Sequence, residues 1–273
     1  MMSTSEAPKI ERPPRSLSSP TLGLRLLSLD FGRQIRARKT LTLVAIQLLP
    51  VVIAAVFVIW RDVDGMNLFR NTIEHVYIPL LLPLAALFFG GPTIVNEIEG
   101  RTITYLTLRP LSRATLFLAK LASSISVALV ATLLPVLALF GVCMIGSGDP
   151  LGDSLPMLGA ALGAVAVGAI TYTAIFAFLG VLFSATLLLG IVYFVVVELV
   201  FAAIPIIELL SVKFHLRTIA GFTSSDRAGF LDRLILEEPL NFEWWFGVLI
   251  AGLMASFAII VSTLVFRQRQ FHV

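Results

Sequence analysis

Few residues in this chain could do chemistry, and one of them stands in an unusual place. Glu198 lies in Val195-Val-Val-Glu-Leu-Val200, deep inside an apolar run. A carboxylate at the centre of a membrane helix costs on the order of 2.5 to 3.5 kcal/mol on insertion scales, so it must face a partner, a cavity or water. Two readings stand open: a substrate-path or proton-linked residue, and a protonated carboxyl bonded to a neighbouring helix. No lysine or arginine within the same apolar runs offers an obvious counter-charge.

The other candidates for chemistry are weaker. Thr223, Ser224, Ser225 and Asp226 resemble a hydrolytic cluster, but no histidine stands at a motif distance, and a polar turn accounts for them. His75, His215 and His272 are far apart, without carboxylates or cysteines at ligand spacing, so no metal site is expected. The single cysteine, Cys143, excludes a disulfide within the chain. With no nucleophile, base or metal constellation, no catalytic residue and no cofactor bound by this chain are expected. Gly159 and Gly163 form a G-x-x-x-G pair beside Ala160 and Ala164, a pattern that lets helices approach closely, inside the subunit or across a dimer seam.

A second chemically distinctive stretch reads Asn96-Glu-Ile-Glu-Gly-Arg-Thr-Ile-Thr-Tyr-Leu-Thr-Leu-Arg-Pro-Leu-Ser-Arg113. It is short, charged and semi-apolar. Pro110 ends one helix and Ser112 can cap the next, which makes a rigid elbow capable of transmitting force. A plainer reading also fits the letters: Asn96 and Glu99 as a capping box, and Arg101, Arg109 and Arg113 as ordinary positive residues on the cytoplasmic side.

The elements that must position these residues follow from hydropathy. Of 273 residues, 58% are hydrophobic and 14% charged, with mean hydropathy +0.95, whereas soluble domains carry about a quarter charged residues. The charges crowd the first forty positions and a few connections, which is the signature of repeated membrane crossing. Each crossing needs roughly 20 apolar residues to satisfy its backbone in lipid. Six spans are predicted: Leu41 to Trp60, Val76 to Val95, Leu121 to Ile145 within a helix of about 114–146, Met157 to Phe183, Leu187 to Leu210, and Trp244 to Phe266. Pro50, Pro83, Pro135 and Pro205 lie inside them and read as bends. The expected fold is an all-α membrane protein with one transmembrane domain over 21–273.

Before the first span, residues 1–20 read as a disordered cytoplasmic tail, and no secretory signal peptide is expected. Leu24, Leu27, Phe31 and Ile35 then recur at helical spacing, predicting a helix over 21–38 that lies in the membrane surface, with a plain basic stop as the alternative. Lys120 is expected to snorkel to the interface. Trp60, Trp244 and Trp245 read as interfacial anchors. Fourteen of the twenty lysines and arginines fall on the N-terminal side of the expected layout, placing both termini in the cytoplasm. The connection between spans five and six, Ser211 to Glu243, is long enough to be structured. Net charge +3 and a pI near 9.3 could suggest nucleic acid, but the cations adjoin the spans, so anionic membrane lipids are the expected partner and nucleic acid is not.

With the elbow between spans two and three, the sequence resembles the ABC-2 type permeases, membrane subunits of ATP-binding-cassette transporters. The matching residues are Glu97, Glu99, Gly100, Thr102, Tyr105 to Leu108, Pro110, Ser112, Arg113 and Lys120. Arg101 departs from the pattern by separating the glycine from the threonine, which in that family are often adjacent. The resemblance implies that Glu97, Glu99, Gly100, Arg101, Thr102, Tyr105, Arg109, Pro110, Ser112 and Arg113 form a coupling helix seated in a separate cytoplasmic ATPase. That ATPase would hold the ATP and Mg, since no G-x-x-x-x-G-K-[ST] pattern occurs in this sequence. The resemblance also implies a second permease copy as a homodimer, an exporter, and the bacterial cytoplasmic membrane. Two other readings are a non-transporting scaffold or signalling subunit and a secondary carrier working through Glu198, although no inverted repeat supports the latter.

Overall fold

The computed structural model describes residues 19–61, 64–92, 113–147, 150–183, 185–200, 207–222 and 242–268, and every regular element among them is helical. In chain order these are α1 (Ser19–Ile35), α2 (Arg38–Arg61), α3 (Gly65–Gly90), α4 (Arg113–Ser147), α5 (Leu151–Leu182) and α6 (Thr186–Tyr193, continued by a wide turn over Phe194–Val200). A short 3-10 turn, Ile207–Leu210, precedes α7 (Val212–Ile219), and α8 (Trp244–Gln268) completes the described chain. Among the described residues, α2, α3, α4, α5 and α8 are long and apolar enough to cross a membrane.

Four of the expected spans match α2, α4, α5 and α8 closely, because each is one uninterrupted apolar run. The second span begins earlier than the hydropathy suggested, at Gly65, not Val76. Asp64 caps it, its carboxylate accepting from Met66 N at 3.0 Å and Asn67 N at 3.5 Å, as short acidic N-caps do. The fifth expected span, Leu187 to Leu210, lies partly outside the described residues and ends in a 3-10 turn. Winding is described as far as Val200, and the chain is next described in the 3-10 turn ending at Leu210. Helix winding continues through Pro50 and Pro135, while Pro205 lies outside the described residues.

Two helices contain wide, π-type turns. In α3 the turn covers Ile73–Leu81 and includes Pro79, which has no N–H to give and would crowd the carbonyl one ordinary turn back. Widening the coil accommodates that residue, and Leu82 N reaches back to the Tyr77 carbonyl to resume. In α6 the turn over Phe194–Val200 contains Glu198.

The long helices α4 and α5 form the centre, with α1, α2 and α3 packed on α4, and α3, α7 and α8 on α5. Lipid tails give helices no hydrophobic reason to associate, so close packing through small residues has to hold them. A Cβ on Gly180 would stand on the Gly91 carbonyl, and one on Gly168 would strike Leu82 and Leu216. Aromatic side chains fill the rest: Phe69, Tyr77, Phe117, Tyr172 and Phe176 are fully buried. Outward faces are apolar, as with Leu49, Val52, Ile53 and Val56 on α2 and Leu249, Leu253, Phe257 and Ile260 on α8, which suits contact with lipid.

The bundle has two ends. At one, Phe117, Val181 and Phe266 cluster where α4 starts and α5 and α8 finish, and Gly91 lies over Gly180. At the other, Gly65 lies against the Cys143 carbonyl and Gly146 against Val58. Helix α1 docks on α4 near the first end: Asp30 meets Lys120 at 4.0 Å, and Gln34 Nε2 donates to Ser123 Oγ at 3.3 Å. Phe31 and Ile35 face the core, while Arg25, Leu29 and Arg33 are exposed. Lys120 thus meets an acid on a neighbouring helix.

Candidate functional site

Glu198 is 1% exposed, and the described geometry gives it a specific task. Its carboxylate accepts from Ser211 Oγ at 2.7 Å, from Val212 N at 3.2 Å and from Lys213 N at 3.2 Å. Val212 and Lys213 open α7, where backbone N–H groups have no partner within the helix. Ser211 has the extended backbone of an N-cap, but its hydroxyl makes no local cap and donates to Glu198. The cap of α7 therefore comes from another helix, and its negative end faces the positive end of the α7 dipole. Tyr172 on α5 and Tyr193 on α6 both lie within the field of this carboxyl group. The bonds described tie Glu198 to α7 with its carboxyl oxygens as acceptors.

The other end of α7 is held by α3. Arg217 Nη2 lies 3.7 Å from Glu74 Oε1, with side-chain exposures of 18% and 9%. One turn earlier on α3, the Arg70 guanidinium stands 5.5 Å over the Phe222 ring, just beyond α7. Burial pushes the Arg217 guanidinium below its usual value, and Glu74 followed by Glu208 pulls it back up. Burial likewise pushes the His215 imidazole down, against a smaller upward pull from the Leu209 carbonyl, which accepts from Nε2 at 2.9 Å.

The chain stops α7 cleanly. Phe222 N donates to the Arg217 carbonyl at 3.0 Å and Gly221 N to the Thr218 carbonyl at 3.2 Å, the paired bonds of a Schellman ending. That ending needs a left-handed residue, and Gly221 has φ 71. Small residues let α7 sit deep. Leu216 rests on Gly168, about midway along α5, and the His215 carbonyl rests on Gly247 of α8. Both acids that hold α7, Glu74 and Glu198, lie on the two wide turns. Such turns re-aim side chains by breaking the ordinary register and recur at functional positions.

Sequence reasoning flagged Glu198 but sorted Glu74 and Arg217 into connecting loops. Had the second span been started at the Asp64 cap, Glu74 would have counted as a buried acid in need of a partner.

The expected coupling residues Glu97, Glu99, Gly100, Arg101, Thr102, Tyr105, Arg109, Pro110 and Ser112 lie outside the described residues, as do Thr223 to Asp226. Arg113 opens α4. The described chain does show where that connection attaches: Gly91 and the start of α4 lie at the same end of the bundle, the end that carries α1. Gly159 has nothing within 4 Å of where its Cβ would be, and Gly163 meets only Ile219 at 4.0 Å, so the close approaches of α5 fall instead at Gly168 and Gly180. No cluster of three metal-binding side chains occurs among the described residues. Besides the acid seats, an apolar cleft lies between α3, α5 and α6, lined by Leu80, Leu84, Leu87, Phe176, Ile191 and Phe194.

A family model described as ABC-2 family transporter protein matches residues 35–202. The match takes in α2 to α6 and the connection that contains the expected elbow, and it ends before α7. No curated protein matches the chain.

Proposed function

Because the chain belongs to the ABC-2 transporter family, a family of membrane transport components that normally work with an ATPase partner, we propose that it is the permease subunit of an ATP-driven exporter. The observation that carries this reading is the family match over most of the helical bundle. Its support in the fold is that α3 and α4 end and begin on one side, where a connection of about twenty residues can engage a partner.

In this reading the segment from Glu97 to Arg113 sits in a cleft of a separate cytoplasmic ATPase that binds ATP and Mg. Two copies of the permease bring two such segments together. Closure of the ATPases pushes on both and shifts the bundles between two packed states, driven by the difference in ATP affinity between them. Both termini face the cytoplasm, and the protein resides in a bacterial cytoplasmic membrane. A secondary carrier working through Glu198 finds less support, because that carboxylate is already engaged by donors at the start of α7.

The test is to co-purify the permease with a candidate ATPase and to replace Glu97, Glu99 and Arg101, singly and together. Loss of assembly, or of ATP turnover coupled to flux in proteoliposomes, is the expected result. Full assembly and full coupling in the triple variant would overturn the role given to this segment, and assembly without any flux would favour a scaffold.

A further inference from the structure

Helix α7 is an eight-residue element lodged deep in the bundle, and charges carried by other helices hold both of its ends. Its N-terminal N–H groups depend on Glu198 of α6, and its Arg217 depends on Glu74 of α3. Its own sequence supplies no side-chain cap, and its exit turns on Gly221. The seat beneath it is smooth, since Leu216 and the His215 carbonyl rest on Gly168 and Gly247. Two buried polar atoms on α7, His215 Nδ1 and Arg217 Nε, have no hydrogen-bond partner among the described residues. Buried polar groups left in that condition mark a strained position, in a helix otherwise packed through Val212, Phe214, Leu216 and Ile219 and the ring contacts Phe214–Phe242 and His215–Phe246.

Helix α3 links this arrangement to the opposite end of the bundle. Arg70 and Glu74, one turn apart, hold Phe222 and Arg217. About 24 Å further along, at 1.5 Å per residue, the same helix ends at Gly90, just before the connection to α4. The Pro79-widened turn, Ile73–Leu81, carries Glu74 itself and occupies the first half of this stretch.

We infer that α7 is latched in place by Glu198 and by the Glu74–Arg217 pair, and that movement of α3 releases it. Glu74, Arg217 and Glu198 are positioning residues in this scheme. The acid on α3 withdraws from Arg217 when α3 rotates or tilts, the interaction with Phe222 goes with it, and α7 leaves its glycine seat while α6 retains only the hold on its N-terminus. The release half of the scheme rests on the proposal that the α3–α4 connection is driven by an ATPase; the latch half does not.

The protein has a single cysteine, Cys143, which is buried, so site-directed labelling is practical. In a Cys143→Ala background, Val212→Cys places a thiol at a position that is 0% exposed at the start of α7. The full-length permease, with its ATPase and in lipid nanodiscs, is treated with a charged maleimide in the nucleotide-free state and after vanadate trapping. The parent should label slowly without nucleotide and at least about tenfold faster when trapped, since loss of a buried ion pair exceeds the roughly 1.4 kcal/mol of one tenfold step. Arg217→Gln should label at the fast rate in both states, Arg217→Lys should stay near the parent, and the exchange Glu74→Arg with Arg217→Glu should restore slow labelling. Only variants that elute as a single species of parent size are scored, and the lysine and exchange variants separate a latch from a general loss of folding. Arg217→Gln labelling as slowly as the parent overturns the latch. Equal rates in both states of a complex that turns over ATP overturn release by α3. Should no ATPase assemble with the chain, the permease reading fails, and the nucleotide-free comparison of the parent with Arg217→Gln still decides the latch.

Discussion

Replacing Glu198 by alanine removes the acceptor for three donors at once: Ser211 Oγ, Val212 N and Lys213 N. Each donor left buried without a partner costs about 1–3 kcal/mol, so even the low end gives about 3 kcal/mol against the seated position of α7. At about 1.4 kcal/mol per tenfold, α7 should open on the order of a hundred times more often. Amide hydrogen exchange reads this directly, because protection of a local unit reports its own opening free energy. In nanodiscs, the amides of Val212–Ile219 should exchange about a hundredfold faster in Glu198→Ala than in the parent, while those in the middle of α5 keep their rate. Glu198→Gln retains one carbonyl oxygen but turns an N–H2 toward the same donors, so it should fall between the two. If α7 amides in Glu198→Ala exchange within twofold of the parent, or if α5 loosens equally, the carboxylate is not what caps α7 and the reasoning fails.

Three further outcomes follow from other contacts. Gly180→Leu drives a side chain into the Gly91 carbonyl and should abolish recovery of folded protein, whereas Gly159→Leu, with open space around it, should be recovered at parental yield by size-exclusion chromatography. Tyr77→Phe deletes the 2.7 Å bond from the Tyr77 hydroxyl to the Gln47 carbonyl between α3 and α2, and should cost about 0.6 kcal/mol, the average for such bonds between membrane helices, measured by reversible unfolding in mixed micelles. The His215 value is depressed in the seated helix, so below its ordinary 6.5 the unseated form binds the proton more readily; α7 should hold at neutral pH and lose exchange protection as pH falls through and below that value, and His215→Phe should remove the dependence.

Reading from sequence succeeded where one property decided the outcome. Helices α2, α4, α5 and α8 are unbroken apolar runs of bilayer length, and their ends lie within a few residues of the hydropathy limits, α5 starting somewhat earlier. It failed where the deciding contacts are distant in sequence. The connection from Ser211 onward reads as a structured segment without its packing, and only Ser211, Lys213 and Arg217 mark in the letters that α7 lies against the bundle. Glu198 could be recognised as a carboxyl needing a partner, but its donors are 13 to 15 positions further along, a separation at which no periodicity speaks. Glu74 was hidden by a misplaced start: polar Asn67, Arg70 and Asn71 lower the hydropathy of the first turns of α3, although the Asp64 cap was visible in the letters. The coupling segment was read from its pattern alone, and its fold lies outside the described residues.

The wide turns in α3 and α6 have a genetic consequence. An ordinary helix advances about 100° per residue, so adding or removing one residue swings everything beyond it to a new face. Because a wide turn can absorb one extra residue locally, shortening either of these segments by one would tend to restore regular winding and carry Glu74 or Glu198 away from α7 without changing any side chain. The aim of both acids is thus encoded in the spacing of the chain as much as in its letters, and a one-codon deletion there should do more harm than most substitutions.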